Sequence, residues 1–334
     1  MPFARLAAVA LAFAAATASA GQSGPPAELF GWIQRMNKVL IEGNFDGVLE
    51  RRSDEGRQEL RIVHRFKDGE MMERVVARDG SGYEQRRKGD QFSEYFPKRR
   101  IVIKSIRTRS FGYIQTLNGL DAESARLYDI SDAGRTRLLG RDVQMIRIEP
   151  KDDLRLGYRL WLETGSAMPL KLQRVTRSGA VVKEIAFTFI NVPLLPADIP
   201  DEQLRVDVDF STFKGYDRDK GMPFYDARLK RALLPQMSLM PAGYRIWRFG
   251  GQTAGARSPQ PRTTGPRSRF IVSDGVTWAE VFLAPASTDT KEGGDTFDGG
   301  NSGYQMVTDG VRVSVVGELP LAAAEAIAKA FRPE

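Results

Sequence analysis

Cysteine is absent from the 334 residues, and histidine occurs once, as His64. The first absence removes disulfides, thiol nucleophiles and thiolate metal ligands, so stability has to come from burial. The second leaves no cluster of imidazoles for zinc. A Ser-His-Asp triad would have to use His64, which lies in an alternating stretch with Leu60, Ile62 and Phe66 and reads as a core position. There is no G-x-S-x-G elbow. Gly80-Ser81-Gly82 lacks the third glycine of a phosphate cradle and opens no helix. The acid pairs Asp152-Asp153 and Asp207/Asp209 sit in polar stretches, where solvated carboxylates belong, and nothing sets two acids across a sugar cleft. The stretch Asp295 to Gly303 carries calcium-like acids, but it occurs once and reads as a flexible surface loop. These deficits predict a binding protein, not an enzyme, with no catalytic residue, no metal and no cofactor.

A run of apolar residues long enough to cross a bilayer is also missing. The one candidate, Leu6 to Ala16, falls short of the roughly 20 residues a span requires. Arg5 precedes it and Ala18-Ser19-Ala20 follows, so residues 1–20 read as a secretory signal cleaved after Ala20. With no cysteine behind that site to carry a lipid anchor, the expected product is a free periplasmic protein, peripheral to the membrane at most. The net charge of +7 suits anionic lipid, an acidic partner or nucleic acid, and export argues against nucleic acid.

Periodicity then divides the mature chain. Leu29, Ile33, Met36 and Leu40 follow helical spacing behind Pro25-Pro26. From Asn44 the period changes to two, and short strands at hairpin spacing run to Val192, broken by turns such as Lys67-Asp68-Gly69, Asp79-Gly80 and Arg177-Ser178-Gly179. Residues 113–127 are less regular and suit a helix. So many short strands predict a large curled antiparallel sheet. Pro193, Pro196 and Pro200 end it, and the charged stretch from Asp201 to Leu234 reads as a linker wrapped on a domain surface. Strands resume in 243–318, and Leu321 to Phe331 forms a closing helix. The expected organisation is a signal peptide (1–20), an N-terminal domain (27–200), a linker (201–234) and a C-terminal domain (235–334). Segments 250–268 and 287–302 are rich in Gly and polar residues and read as mobile loops.

Two basic clusters stand out. Lys98, Arg99, Arg100, Lys104, Arg107 and Arg109 surround one strand, and Arg245 to Arg269 holds six arginines and no acid. Arginine forks match phosphate or carboxylate, so Arg99, Arg100, Lys104, Arg245, Arg248 and Arg269 are candidate anion or partner contacts. A solvated face with distant counter-charges is the competing reading.

Four stretches resemble the MucB/RseB family. They are GRTRLLGRDVQMIRIEP (134–150), YRLWLETGSAMPLKLQRVTRSGAVVKEIAFTFINV (158–192), LMPAGYRI (239–246), and the pair SDGVTWAEVFLAPA with TDGVRVSVVGELPLAAAEAIAKAF near the C-terminus. The resemblance implies an α+β, mainly β fold. It would have a large curled antiparallel half-barrel, similar to lipoprotein carriers and closed by covering helices, and a smaller α/β C-terminal domain. It implies a periplasmic negative regulator that binds the periplasmic part of a transmembrane anti-sigma factor and shields it from regulated proteolysis. Lipid or lipopolysaccharide would release it under envelope stress. Alternation then nominates Phe45, Leu60, Ile62, Phe66, Met72, Phe187 and Phe189 as a lipid groove, and a one-residue slip in register would reverse that facing. A periplasmic lipid or lipoprotein carrier on the same half-barrel is the alternative, and an envelope hydrolase is a third reading.

Overall fold

The computed structural model describes residues 27–107, 112–205, 209–217, 234–247 and 268–332. The expected signal peptide, Arg109, Arg248 and most of the 250–268 loop lie outside them. Helix α1 (Ala27–Glu42) opens the chain. Six strands follow: β1 (Phe45–Ser53), β2 (Gly56–Lys67), β3 (Glu70–Ala77), β4 (Glu84–Lys88), β5 (Gln91–Phe96) and β6 (Ile101–Ile106). After residues 112–127 come β7 (Tyr128–Leu138), β8 (Arg141–Pro150), β9 (Gly157–Glu163), β10 (Pro169–Val175) and β11 (Val181–Asn191). The short α2 (Asp201–Leu204) and β12 (Lys214–Asp217) complete this part.

These strands form one open sheet in the order β12-β6-β5-β4-β3-β2-β1-β11-β10-β9-β8-β7. The chain meanders outward from β1 to β6, restarts at the far edge with β7, and meanders back until β11 pairs antiparallel with β1. All pairings are antiparallel except β12 with β6. The expected curled antiparallel sheet is thus present, with two differences. Residues 128–138 make one long bulged strand and not a short one, and residues 113–127, expected to be helical, form a covering segment with a single 3-10 turn at Ser124–Leu127.

One sheet face is the core. The helical spacing of Leu29, Ile33, Met36 and Leu40 puts all four, with Trp32, on the buried side of α1. They pack on Phe45, Leu49, Leu60, Ile62, Val75 and Phe187. Ile114, Leu117 and Leu120 of the second cover fill the rest. The two covers are tied together, because Asn37 Oδ1 accepts the Leu117 N–H at 2.7 Å.

Cross-strand register corrects two groove assignments. Residues directly opposite one another share a face. Ile62 faces Val75 and Phe66 faces Met71, whereas Met72 faces Arg65. Met72 therefore lies on the outer face, packed on Val63, Ile199 and Leu204, and Met71 takes the inner place. On β11 a bulge opposite Val48/Leu49 inserts Thr188. An extra residue turns the strand over, so Phe187 stays inside, Phe189 points outward at 52% exposure, and Ile190 becomes the next buried residue. Met71→Ala is expected to cost about 2–5 kcal/mol, the range for a buried Met truncation, and Met72→Ala distinctly less. Urea unfolding of the two variants checks the register, and equal losses would contradict it.

The outer face carries the chain after β11. Arg65 pairs with Asp201, and Arg74 donates to the Gln203 carbonyl at 3.4 Å. Phe210 stacks on Tyr95 at 4.1 Å, which brings β12 to the edge of β6.

The rest of the chain builds a second sheet from β14 (Arg245–Trp247), β15 (Ser268–Ser273), β16 (Trp278–Pro285), β17 (Gly293–Phe297), β18 (Asn301–Thr308) and β19 (Val311–Glu318). Its order is β14-β15-β16-β19-β18-β17. Helix α3 (Leu321–Ala330) buries Ala323, Ala324, Ile327 and Ala328 on Val281, Val313 and Val315. A short ladder between β13 (Leu234–Pro235) and β20 (Phe331–Arg332) closes this unit. The stretch expected to be a mobile loop, 287–302, is a correction: it contains β17 and a docking turn. Asp298 pairs with Arg51 and accepts from Ser53, and the Gly299 N–H donates to Asp54 at 2.9 Å. Asp298 and the Gly299 N–H thus bind the β1–β2 hairpin of the first sheet, a partner no local pattern could name.

Candidate functional site

The two sheets meet along a seam of buried charge. Asp274, in the turn between β15 and β16, is fully buried. It accepts the Tyr128 hydroxyl at 2.6 Å, Arg155 Nη1 at 2.9 Å and the Thr277 N–H at 2.7 Å. Arg155, equally buried, also clasps Asp152 and donates to the Ala242 carbonyl at 2.9 Å. Asp152 is thus a structural ligand of an arginine. Burial, then the Asp274 charge, push the Tyr128 hydroxyl far above its ordinary range, so it stays a donor.

A second node lies further along. Arg174 donates to the Tyr158 hydroxyl at 2.6 Å, pairs with the Glu318 carboxylate at 2.6 Å and reaches the Val276 carbonyl at 3.4 Å. Lys183 joins Glu318 at 3.0 Å. Burial disfavours the Glu318 charge, but Arg174 and Lys183 outweigh it and hold the carboxyl down at about 2.

Between the sheets a cleft of about 200 Å³ opens beside this node. Tyr113 and Gln115 of the second cover form one wall, Leu172 and Ile185 of the first sheet a second, and Ile271 and Trp278 of the second sheet a third. Trp278 Nε1 donates to Gln115 at 3.0 Å, so the wall aromatic is held by the cover opposite. The cations on the rim are already paired, Arg107 with Glu94 at 3.3 Å while stacked on Phe92 at 3.9 Å. Apolar and aromatic walls with paired charges suit an amphipathic polypeptide segment better than a free anion.

The residues nominated from sequence scatter about this frame. Phe45, Leu60, Ile62 and Phe187 share the inner face but are already covered by α1 and residues 112–127. Phe66 is half-buried at the end of β2. Arg99 and Lys104 are exposed near the β6 edge. Arg100 is engaged with the chain after β11, donating to Thr212 at 2.8 Å and lying over Phe213 at 5.6 Å.

The second basic cluster needs correction. Arg245 pairs with Asp121 at 2.7 Å and Glu123 at 3.5 Å, and so ties the second sheet to the second cover. Arg269 is buried against Glu280 and the Phe282 ring. The cluster holds no acid of its own, but the fold brings acids to it from elsewhere. Sequence reading missed Tyr113, Gln115, Arg174, Glu318 and Trp278, because each acquires its role from a residue far away in the chain. Among the described residues, no group of three or more His, Asp or Glu could hold a metal.

An open sheet filled by its own covers, with a smaller helix-backed sheet locked along its seam, defines a two-part binding protein. Family models agree with this class: the one described as MucB/RseB N-terminal domain matches residues 29–208, and the one described as MucB/RseB C-terminal domain matches 236–332. The chain belongs to the MucB/RseB family. It is 24% identical to the sigma factor AlgU regulatory protein MucB of Pseudomonas aeruginosa over 92% of each chain. It is 23% identical to the sigma-E factor regulatory protein RseB of Escherichia coli, over 93% of this chain and 92% of that one. In structure it is similar to MucB in the Pseudomonas aeruginosa MucA/MucB complex, with a TM-score of 0.64 and 22% identity over 92% of this chain and 99% of that one. These relatives carry regulatory, not enzymatic, names.

Proposed function

We propose that this chain is a periplasmic negative regulator. It binds the periplasmic part of a transmembrane anti-sigma factor and shields it from regulated proteolysis. The observation that carries this reading is the match to both MucB/RseB domain models, which together take in both sheets. A relative of the same fold has been solved in complex with MucA(peri). The seam cleft, with Tyr113 and Trp278 on facing walls, is the proposed seat of the partner segment, since large aromatics anchor such interfaces. Residues 1–20 are the proposed export signal. Among the described residues, no helix is long and apolar enough to cross a membrane.

The carrier alternative meets a physical obstacle. The inner-face residues that would hold an acyl chain are already buried beneath α1 and residues 112–127. A lipid has to displace those covers at the cost of their own burial. Lipid or lipopolysaccharide fits better as a releasing signal, with Arg99 and Lys104 as its exposed cationic contacts. Titration calorimetry of the mature protein with the periplasmic segment of its cognate anti-sigma factor tests the reading. Saturable binding, weakened at least tenfold by Trp278→Ala, is expected. Failure of that segment to bind, with tight binding of acyl chains, would favour the carrier.

A further inference from the structure

Asparagine occurs five times in the chain, and only Asn118 is followed by glycine. The Asn118–Gly119 step lies in the second cover, at a turn closed by the Leu120 N–H donating to the Leu117 carbonyl at 3.1 Å. Asn118 is exposed, while Leu117 and Leu120 on either side of the step are buried in the inner-face core. The Gly119 N–H has no acceptor among the described residues. An asparagine side-chain amide is an electrophile next to the following backbone nitrogen, and a following glycine puts no Cβ in the way of their meeting. The other four asparagines precede Lys38, Phe45, Val192 and Ser302, each of which carries a side chain. Two of them are also engaged: Asn37 accepts the Leu117 N–H, and Asn44 accepts the Phe66 N–H at 2.8 Å.

The turn is clamped from both sides. On the α1 side, the Leu117 N–H donates to Asn37 at 2.7 Å. On the other, the Gly119 carbonyl accepts the Ser124 hydroxyl at 3.4 Å and lies against Gly275. A Cβ built on Gly275 would come within 2.1 Å of that carbonyl oxygen. Gly275 follows Asp274 in the β15–β16 turn and has a φ of +94°, a conformation that glycine adopts readily. The second cover thus meets the second sheet main chain against main chain, with no side chain between them to give way. Two residues further on from Gly119, Asp121 pairs with Arg245, so this corner of the cover is a fixed part of the seam.

We propose that Asn118–Gly119 is a site of spontaneous covalent modification whose product loosens the second cover at the seam. The turn opens by breaking one hydrogen bond at an exposed corner, a local event that leaves the core in place. The Gly119 nitrogen then attacks Asn118 Cγ. A C–N bond forms, the bond from Cγ to the side-chain nitrogen breaks, and ammonia leaves with the proton from the Gly119 nitrogen. The product is a cyclic imide, which water opens at either carbonyl. Opening at Cγ gives aspartate with the main chain as before. Opening at the other carbonyl leaves the chain joined through Cγ and gives isoaspartate, with an added methylene in the main chain. That added atom falls between Leu117, bound to α1, and the Gly119 carbonyl, wedged against Gly275. The turn cannot lengthen there without releasing one clamp or the other.

Ageing the purified mature protein in mildly alkaline buffer, with peptide mapping by mass spectrometry, tests the site. Position 118 is expected to lose ammonia and gain water ahead of Asn37, Asn44, Asn191 and Asn301, and to yield isoaspartate in excess over aspartate. In the aged protein the Leu117 and Leu120 amides should exchange with solvent about tenfold faster than in fresh protein. Asn118→Gln, whose longer side chain has to close a larger ring, should keep both its amide and its slow exchange through the same treatment. Asn118→Asp carries the new charge without the added backbone atom and should exchange like fresh wild type. Retention of the Asn118 amide throughout, or conversion of another asparagine ahead of it, overturns the site. Conversion that leaves both amides as protected as before overturns the loosening. Fast exchange in freshly made Asn118→Asp would assign the effect to charge and overturn the role of the added atom.

Discussion

Asp274→Ala is expected to destabilise the protein by about 3–5 kcal/mol, the usual cost of removing one member of a buried charged pair. The substitution leaves the Arg155 guanidinium fully buried with one partner fewer, and the Tyr128 hydroxyl without its acceptor. It also removes the carboxylate that organises the β15–β16 turn through the Val276 and Thr277 N–H groups. The loss falls on the seam, so the two sheets should uncouple before either one melts. Guanidinium unfolding followed by limited proteolysis reads both effects. Asp274→Asn, which keeps the shape and removes the charge, should lie between alanine and wild type. A loss under about 1 kcal/mol for alanine would mean that the seam is held elsewhere.

Arg174→Ala is expected to cost a similar amount at neutral pH, and the cost depends on acidity. Glu318 is held at about 2 against an ordinary 4.5. A carboxylate depressed in the folded state contributes stability above its unfolded value and loses it as pH falls through the folded one. The window therefore runs from about 4.5 down to about 2, and the contribution is about 3 kcal/mol at one pKa unit per 1.36 kcal/mol. Removing Arg174 leaves Lys183 as the remaining cation against Glu318. The gap between wild type and variant should be widest near pH 7 and should close toward pH 2. Urea unfolding at a series of pH values measures it, and a gap that is constant with pH would assign the loss to packing around Tyr158, not to the carboxylate.

These two nodes mark the limit of what the sequence made legible. The α1 stripe and the period-two strands follow from local geometry, because side chains repeat every 3.6 or 2 residues along a single element. The large antiparallel sheet follows from them. Facing at an irregularity does not. Met71 and Met72 are adjacent apolar residues, and only pairing with β2 decides that Met71 is inside. The Thr188 bulge turns Phe189 outward although the alternation through Phe187 runs straight past it. Ion pairs are less legible still. Arg155 and Asp274 are 119 positions apart, and Arg174 and Glu318 are 144 apart. An arginine cluster read without its distant acids looks like a free anion site. Arg245 and Arg269 are both neutralised once the chain is folded.

That outcome changes what the basic composition means. Of the cations that suggested an anion dock, Arg245 ties the second sheet to the second cover, Arg269 is neutralised within the second sheet, and Arg100 is engaged by Thr212 and Phe213. What remains for a partner is the seam cleft, where apolar and aromatic side chains stand beside paired charges and the Tyr113 wall is anchored to Glu73. A regulator that must release its partner on a signal gains from a site shared between two covers and two sheets, because displacing any one of them changes the site.

The central claim is tested most directly by giving the mature protein the periplasmic segment of its cognate anti-sigma factor, alone and together with the protease that first cuts that segment. The account predicts a stable complex in which the segment survives, and loss of both binding and protection in the Trp278→Ala variant. A segment cut equally fast with and without a folded, wild-type regulator would contradict it.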